Sequence, residues 1–212
     1  MTDVIPARFI TIEGGEGTGK STQAGRLSQT LSERGIRNIV TREPGGSDGA
    51  ELIRKLLVEG EPNRWDPLVE TLLIFAARAD HVARTIRPAL AAGQWVICDR
   101  FTDSTFAYQG AGRGLDPRLI RTVEDVSIGG FWPEFTIILD VAVKDALDRI
   151  GSRDHAENRF EKFDPEFHER LRTYFRDLAR TEAQRCVLID SNVPIDQVAQ
   201  RIWSAVAERF KL

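Results

Sequence analysis

Gly14-Gly15-Glu16-Gly17-Thr18-Gly19-Lys20-Ser21 fits G-x-x-x-x-G-K-[ST] at every fixed position. Ahead of it, Arg8-Phe9-Ile10-Thr11-Ile12 is a short apolar, β-branched run that reads as a buried strand. Behind it, Ala24, Leu27 and Leu31 recur at helical spacing, and Gly35 supplies a stop. Between a strand and a helix, the glycines let successive backbone N–H groups turn inward around phosphate oxygens, at the positive end of the helix. Lys20 neutralises charge on the β- and γ-phosphates, and the Ser21 hydroxyl is a ligand for Mg²⁺. The stretch is a nucleotide phosphate site.

Moving outward, strand-like runs alternate with helical patterns along the whole chain. The strands fall at Phe9–Glu13, Asn38–Thr41, Trp95–Cys98, Phe135–Leu139 and Cys186–Ile189. Such alternation predicts an α/β fold, a five-stranded parallel sheet with helices on both faces. Asp66-Pro67, Asp116-Pro117 and Asp164-Pro165 read as helix starts, an N-cap followed by a residue pre-set for the first turn. The last helix carries Val198, Ile202, Val206 and Phe210 as a core stripe. No repeat, low-complexity tract or linker interrupts the 212 residues, so residues 1–212 are expected to form one domain.

Composition narrows the function. A net charge of -3 argues against a chain that lives on nucleic acid. No apolar run approaches the ~20 residues of a bilayer span, and residues 1–8 lack the long apolar stretch of a secretory signal. Cys98 and Cys186 lie inside apolar runs, without disulfide or zinc spacing. These features predict a cytoplasmic protein with no membrane or nucleic-acid partner.

Ligands of open α/β sheets bind at the carboxyl edge of the strands. Four strands run into an acid there, Glu13, Asp99, Asp140 and Asp190. Only Asp99 is followed at once by an arginine and heads a dense polar stretch, Asp99-Arg100-Phe101-Thr102-Asp103-Ser104-Thr105-Phe106-Ala107-Tyr108-Gln109-Gly110. Asp99 is therefore the acid expected to organise Mg²⁺ through water, with Asp140 and Asp190 as turn or capping residues. A polar and aromatic stretch after a buried strand is costly unless it lines a pocket. Thr41-Arg42-Glu43-Pro44-Gly45-Gly46-Ser47 forms a turn at the same edge, with Ser47 as N-cap and Arg42 and Glu43 placed to clamp a second substrate. Arg54 falls opposite the apolar stripe of the next helix and reads as solvated. In the helix from Pro67, Phe75 and Arg78 share a face, and Pro88 is expected to kink or end it. Arg149–Lys162 is basic and aperiodic, as a closing lid would be.

With the glycine loop, Thr41–Gly46, Asp99-Arg100-Phe101 and Ala107-Tyr108-Gln109-Gly110 in this order, the chain resembles the bacterial-type thymidylate kinases, within the P-loop nucleoside monophosphate kinases. The resemblance runs from about residue 8 to the C-terminus. It implies transfer of the γ-phosphoryl of ATP to dTMP with Mg²⁺, and a homodimer. By resemblance, Gly14, Gly15, Glu16, Gly17, Thr18, Gly19, Lys20 and Ser21 hold ATP, with Glu16 also near the deoxyribose 3′-hydroxyl. Arg100 matches the arginine on the dTMP phosphate, assisted by Arg42 or Arg78. Thr105 and Gln109 match readers of the thymine edge, and Phe75 resembles the ring that stacks on the base. Arg153 lies where the lid arginine belongs, joining Lys20 and Asp99 as catalytic residues. Gly17 stands where the eukaryotic arrangement has a basic residue, so the lid has to supply that charge. Two positions depart from the pattern: Ile74 holds the usual place of the aromatic, and Asn158-Arg159 replaces an Asp-Arg pair. A GTPase would need an Asn-Lys-x-Asp motif, which the sequence lacks.

Overall fold

The computed structural model describes residues 6–151 and 159–212. Five strands form one parallel sheet in the order β2-β3-β1-β4-β5, with β1 Phe9–Glu13, β2 Asn38–Arg42, β3 Trp95–Asp99, β4 Phe135–Asp140 and β5 Cys186–Asp190. The expected strands are all present, four of them reaching one residue further and so carrying Arg42, Asp99, Asp140 and Asp190 to the carboxyl edge. Alternation along the strands splits their side chains between two layers. Ile10, Ile12, Trp95, Ile97 and Ile137 pack against α1 (Lys20–Glu33) and α9 (Ile195–Phe210). On the other face, Phe9, Val96 and Cys98 meet α3 (Pro67–His81), α4 (Arg87–Ala91) and α6 (Pro117–Ile128). Ile138 and Cys186 on that face meet α8 (Pro165–Thr181). The remaining helical segments are α2 (Asp48–Val58), α5 (Thr102–Thr105), which runs on into a π-helical stretch Phe106–Gly112, and α7 (Val143–Ile150).

The three Asp-Pro starts cap as expected: Asp66, Asp116 and Asp164 accept from the backbone N–H of Leu68, Arg118 and Phe167 at 2.9, 2.8 and 2.7 Å. Other local readings are corrected. Ser47 precedes α2 without capping it, because its hydroxyl donates to Asp80 at 2.7 Å. Pro88 does not end the helix; Val82–Ile86 widens into a π-turn and α4 continues. A proline ring crowds the carbonyl four residues before it, and a wider turn relieves that contact. Asp140 is no turn residue: it accepts from Arg172 at 2.8 Å and Arg176 at 2.7 Å, tying α8 to the end of β4. Asp190 does hold the following turn, accepting from Asn192 N at 2.9 Å.

Candidate active site

Register brings the site together. Ile12 pairs with Asp99 and Glu13 with Ile138, so the end of β1, where the glycine loop leaves the sheet, lies beside the end of β3. Between them opens a cleft of about 410 Å³. Its walls carry Glu16, Gly17, Gly19, Lys20 and Ser21 from the loop, and Arg42, Arg78, Asp99, Arg100, Thr105 and Gln109 from the other segments. Residues far apart in sequence thus share one space, with the glycine loop at one end and Thr105 and Gln109 at the other.

At the phosphate end the loop backbone is tightly enclosed. A Cβ on Gly14 would lie 2.5 Å from Leu139 O, and one on Gly17, at φ +70°, would lie 2.4 Å from Ala146 O. No side chain fits at position 17 while α7 packs there, which is the physical reason that the loop carries no second cation at that position. Lys20 donates to Gly15 O at 2.6 Å. Burial, then the nearby Arg100 guanidinium, depress its ammonium to about 8, against the pull of Glu16, Asp99 and Glu13. Ser21 Oγ donates to Asp99 Oδ2, while Asp99 Oδ1 is buried with no hydrogen-bond partner. A hydroxyl and a carboxylate meeting beside the phosphate loop, one oxygen still without a partner, are hard donors that fit Mg²⁺.

Beyond them Arg100 adopts φ +70°, a conformation that costs a non-glycine residue roughly 1–3 kcal/mol. It is held by Arg100 N donating to Ile12 O at 3.0 Å. The guanidinium then donates to Gly14 O at 2.9 Å, Ser104 Oγ at 3.2 Å and Glu16 at 2.8 Å. Burial alone would raise the Glu16 carboxyl, but Arg100 and Lys20 outweigh it and hold it down at about 2. Glu13 behaves oppositely: burial, reinforced by Asp103, pushes it up to about 8. It accepts from Phe101 N at 2.7 Å and Ser104 Oγ at 2.5 Å, shaping the turn that presents Arg100.

The far end of the cleft departs from several expectations. Phe75 is 1 % exposed in the core, its ring 4.6 Å from the Arg78 guanidinium, while Ile74 lines the cleft. The ring expected to stack on a base is thus turned into the core, because the two residues point to different sides of α3 and only one can face the cleft. Arg78 joins Thr105, donating to its Oγ1 at 3.0 Å, rather than Arg100. Glu43 is not a clamp by itself; it is buried, accepting from Arg78 Nε at 2.6 Å with His81 Nδ1 at 2.9 Å. Arg54 is not merely solvated: it donates to Pro44 O at 2.7 Å and lines the cleft. Arg42 stays half open, paired with Glu51 at 3.2 Å.

Of the arginines expected in a lid over residues 149–162, Arg153 lies outside the described residues, as do Asn158 and the rest of 152–158. Arg149 reaches Ser191 O at 3.3 Å and Asn192 at 3.2 Å, joining α7 to the loop after β5. Arg159 is fully buried, with Glu70 and the carbonyls of Leu57, Glu61 and Pro62 as partners. Sequence reading missed Glu70, His81 and Arg159 as organisers, since no local pattern marks an acid or histidine buried by contacts from distant segments.

A family model described as thymidylate kinase matches residues 12–202. A thymidylate kinase of Rhizorhabdus wittichii is 50% identical over 205 residues, 96% of this chain and 99% of that protein. One from Caulobacter vibrioides is 50% identical over 204 residues, covering 96% and 98%. The crystal structure of thymidylate kinase from Ehrlichia chaffeensis superposes with a TM-score of 0.76 at 35% identity, covering 95% of this chain and 98% of that one.

Proposed function

The chain belongs to the thymidylate kinase family, and from that premise we propose how its residues carry the γ-phosphoryl of ATP to dTMP. The enzyme is an ATP-dependent nucleoside monophosphate kinase that makes dTDP. The observation that carries this reading is the single cleft holding the phosphate loop at one end and Arg100, Thr105 and Gln109 at the other.

Gly14–Ser21 cradle the ATP phosphates, and Lys20 sits against the group in transfer. Ser21 would hold Mg²⁺ directly and Asp99 through water; when bound, the ion would supply charge neutralisation to the phosphates. Among the described residues no cluster of three or more His, Cys, Asp and Glu side chains offers a metal site. Arg100 takes the acceptor phosphate in a bidentate grip, with Arg42 at the entrance. Glu16, fully ionised at neutral pH and next to Arg100, accepts from the deoxyribose 3′-hydroxyl. Arg78, Thr105 and Gln109 read the base edge, and Ile74 supplies the apolar contact first given to Phe75. Positioning and charge compensation are nearly all that a loose phosphoryl-transfer transition state asks of a protein. Arg153 supplies the last cation as residues 149–162 close, since Gly17 has no side chain to do so.

Two further points rest on the same membership. The protein is a homodimer, supported by exposed Val69 and Leu72 on α3 and Leu119 and Val126 on the adjoining α6. It works in the cytoplasm, supported by the fact that no described helix is long and apolar enough to cross a membrane.

A coupled ADP-release assay across dTMP, dUMP, AMP, CMP and GMP tests the activity. Turnover with dTMP well above the purine nucleotides is expected. Preference for AMP or GMP would sink the assignment.

A further inference from the structure

Gln109 lines the cleft, is 1 % exposed and has its Oε1 buried with no hydrogen-bond partner. Its Nε2 is committed elsewhere, donating at 2.9 Å to Oε1 of Glu70, in the first turn of α3. Glu70 is itself wholly buried, and every other partner it has is a donor. Arg113 Nη1 donates to the same oxygen at 2.9 Å, and Arg159 ion-pairs with Oε2. A carboxylate accepts only, whereas a glutamine amide offers either its oxygen or its NH₂, according to which way it is turned. With Glu70 behind it, turning Gln109 over would set amide oxygen against carboxylate oxygen. The amide is therefore locked with its oxygen toward the substrate.

We propose that Glu70, which touches no substrate, is a specificity-determining positioning residue that fixes the polarity of Gln109 and so selects a pyrimidine bearing N3–H over one bearing a bare N3. Thymine presents N3–H, a donor that satisfies the partnerless Oε1. Cytosine presents an unprotonated N3 and leaves two acceptors facing each other in a dry site, an arrangement that rejects strongly because neither finds a partner. The inference rests on the reading that Gln109 meets the base edge, and extends it by naming what orients the amide. Arg113 and Arg159 keep the carboxylate in place, and Arg159 makes the same carboxylate part of the lid's root.

The test compares kcat/KM for dTMP and dCMP in the parent, Glu70→Gln and Arg113→Lys, with folding checked by circular dichroism and thermal midpoint. Glu70→Gln can donate to Gln109 and lets its amide turn over. The dTMP-to-dCMP ratio is expected to fall at least tenfold, mainly through KM for dTMP rising and KM for dCMP falling. Arg113→Lys loosens the same cluster but keeps the acceptor, so its ratio should stay within about twofold of the parent whatever its midpoint. An unchanged ratio in folded Glu70→Gln, or an equal fall in Arg113→Lys, overturns the proposal. Where Glu70→Gln does not fold, the native protein decides. The ¹⁵N side-chain amide of Gln109, identified by its loss in Gln109→Met, must exchange slowly with deuterium, as a donor held on a buried carboxylate does; fast exchange overturns the lock. Parent turnover with dTMP is measured first. Its absence would sink the activity itself, while the amide exchange would still judge the Glu70 contact.

Discussion

Lys20 combines near-complete burial with the positive neighbour Arg100, and its ammonium titrates at about 8 rather than in the usual lysine range. In the proposed role the lysine acts as a cation, so the active form exists below that pH and is lost as pH rises through it. For the free enzyme, kcat/KM for ATP is expected to fall about tenfold per pH unit above about 8. The kcat profile should stay flatter, because bound phosphates raise the lysine's pKa. A kcat/KM that is level from neutral pH to well beyond that value would contradict the assigned role. Arg100 offers the complementary test. Its guanidinium is already aimed by Gly14 O, Ser104 and Glu16. Arg100→Ala therefore removes charge-assisted bonds to the acceptor phosphate worth about 1.5–3 kcal/mol, roughly 10–100-fold in dTMP affinity, and leaves ATP affinity near normal. Calorimetry with each nucleotide separates the two effects; equal losses for both would place Arg100 at the wrong phosphate.

Between elements, Arg159 ties the chain before α8 to α2 and α3. Arg159 N donates to Val58 O at 3.2 Å and its side chain to Leu57 O at 3.0 Å, so it meets the negative end of α2 while also pairing with Glu70. Arg159→Ala strips donors from three carbonyls and half the counter-charge from a buried acid. It is expected to cost about 3–5 kcal/mol, read as a lowered urea midpoint. A loss below about 1 kcal/mol, the range of an exposed pair, would show that Arg159 is not held as described. Arg153 is expected to act on rate instead. A cation delivered by closure binds most tightly when charge spreads in the transition state. Arg153→Ala should therefore lower kcat at least tenfold, about 1.4 kcal/mol, with both KM values changed much less. Arg149→Ala serves as control, since Arg149 already fastens α7 to the loop after β5. Normal kcat in Arg153→Ala would leave the transferred group to another cation.

At the scale of the whole molecule, α3 and α6 leave apolar side chains uncovered. Val126 is 85 % exposed and Leu72 50 %, on neighbouring helices whose other faces pack into the core. Burial of such side chains contributes about 25 cal/mol per Å² of apolar surface, which favours covering them. Sedimentation should find a dimer, and a Leu72→Asp, Val126→Asp double variant should shift it to monomer without loss of helix content. A monomeric parent at tens of micromolar would dismiss the dimer.

Each strand could be read from the chain because β-branched runs between turn residues are local signals, and each Asp-Pro cap because its partner lies two or three residues away. The glycine loop was legible for the same reason: its chemistry depends on backbone conformation within eight consecutive residues. Arg100 and Gln109 were legible as residues of the cleft through their motifs. Their partners were not, since Glu16 and Glu70 reach them across 84 and 39 positions of sequence. The same limit misplaced Phe75: its spacing from Arg78 says that they share a helix face, not whether that face turns to the cleft or the core. Local residue type and spacing settle what each segment is able to form. Which acid stands behind the Gln109 amide, and which of two adjacent apolar side chains faces the cleft, depends on how distant segments are brought together by the sheet.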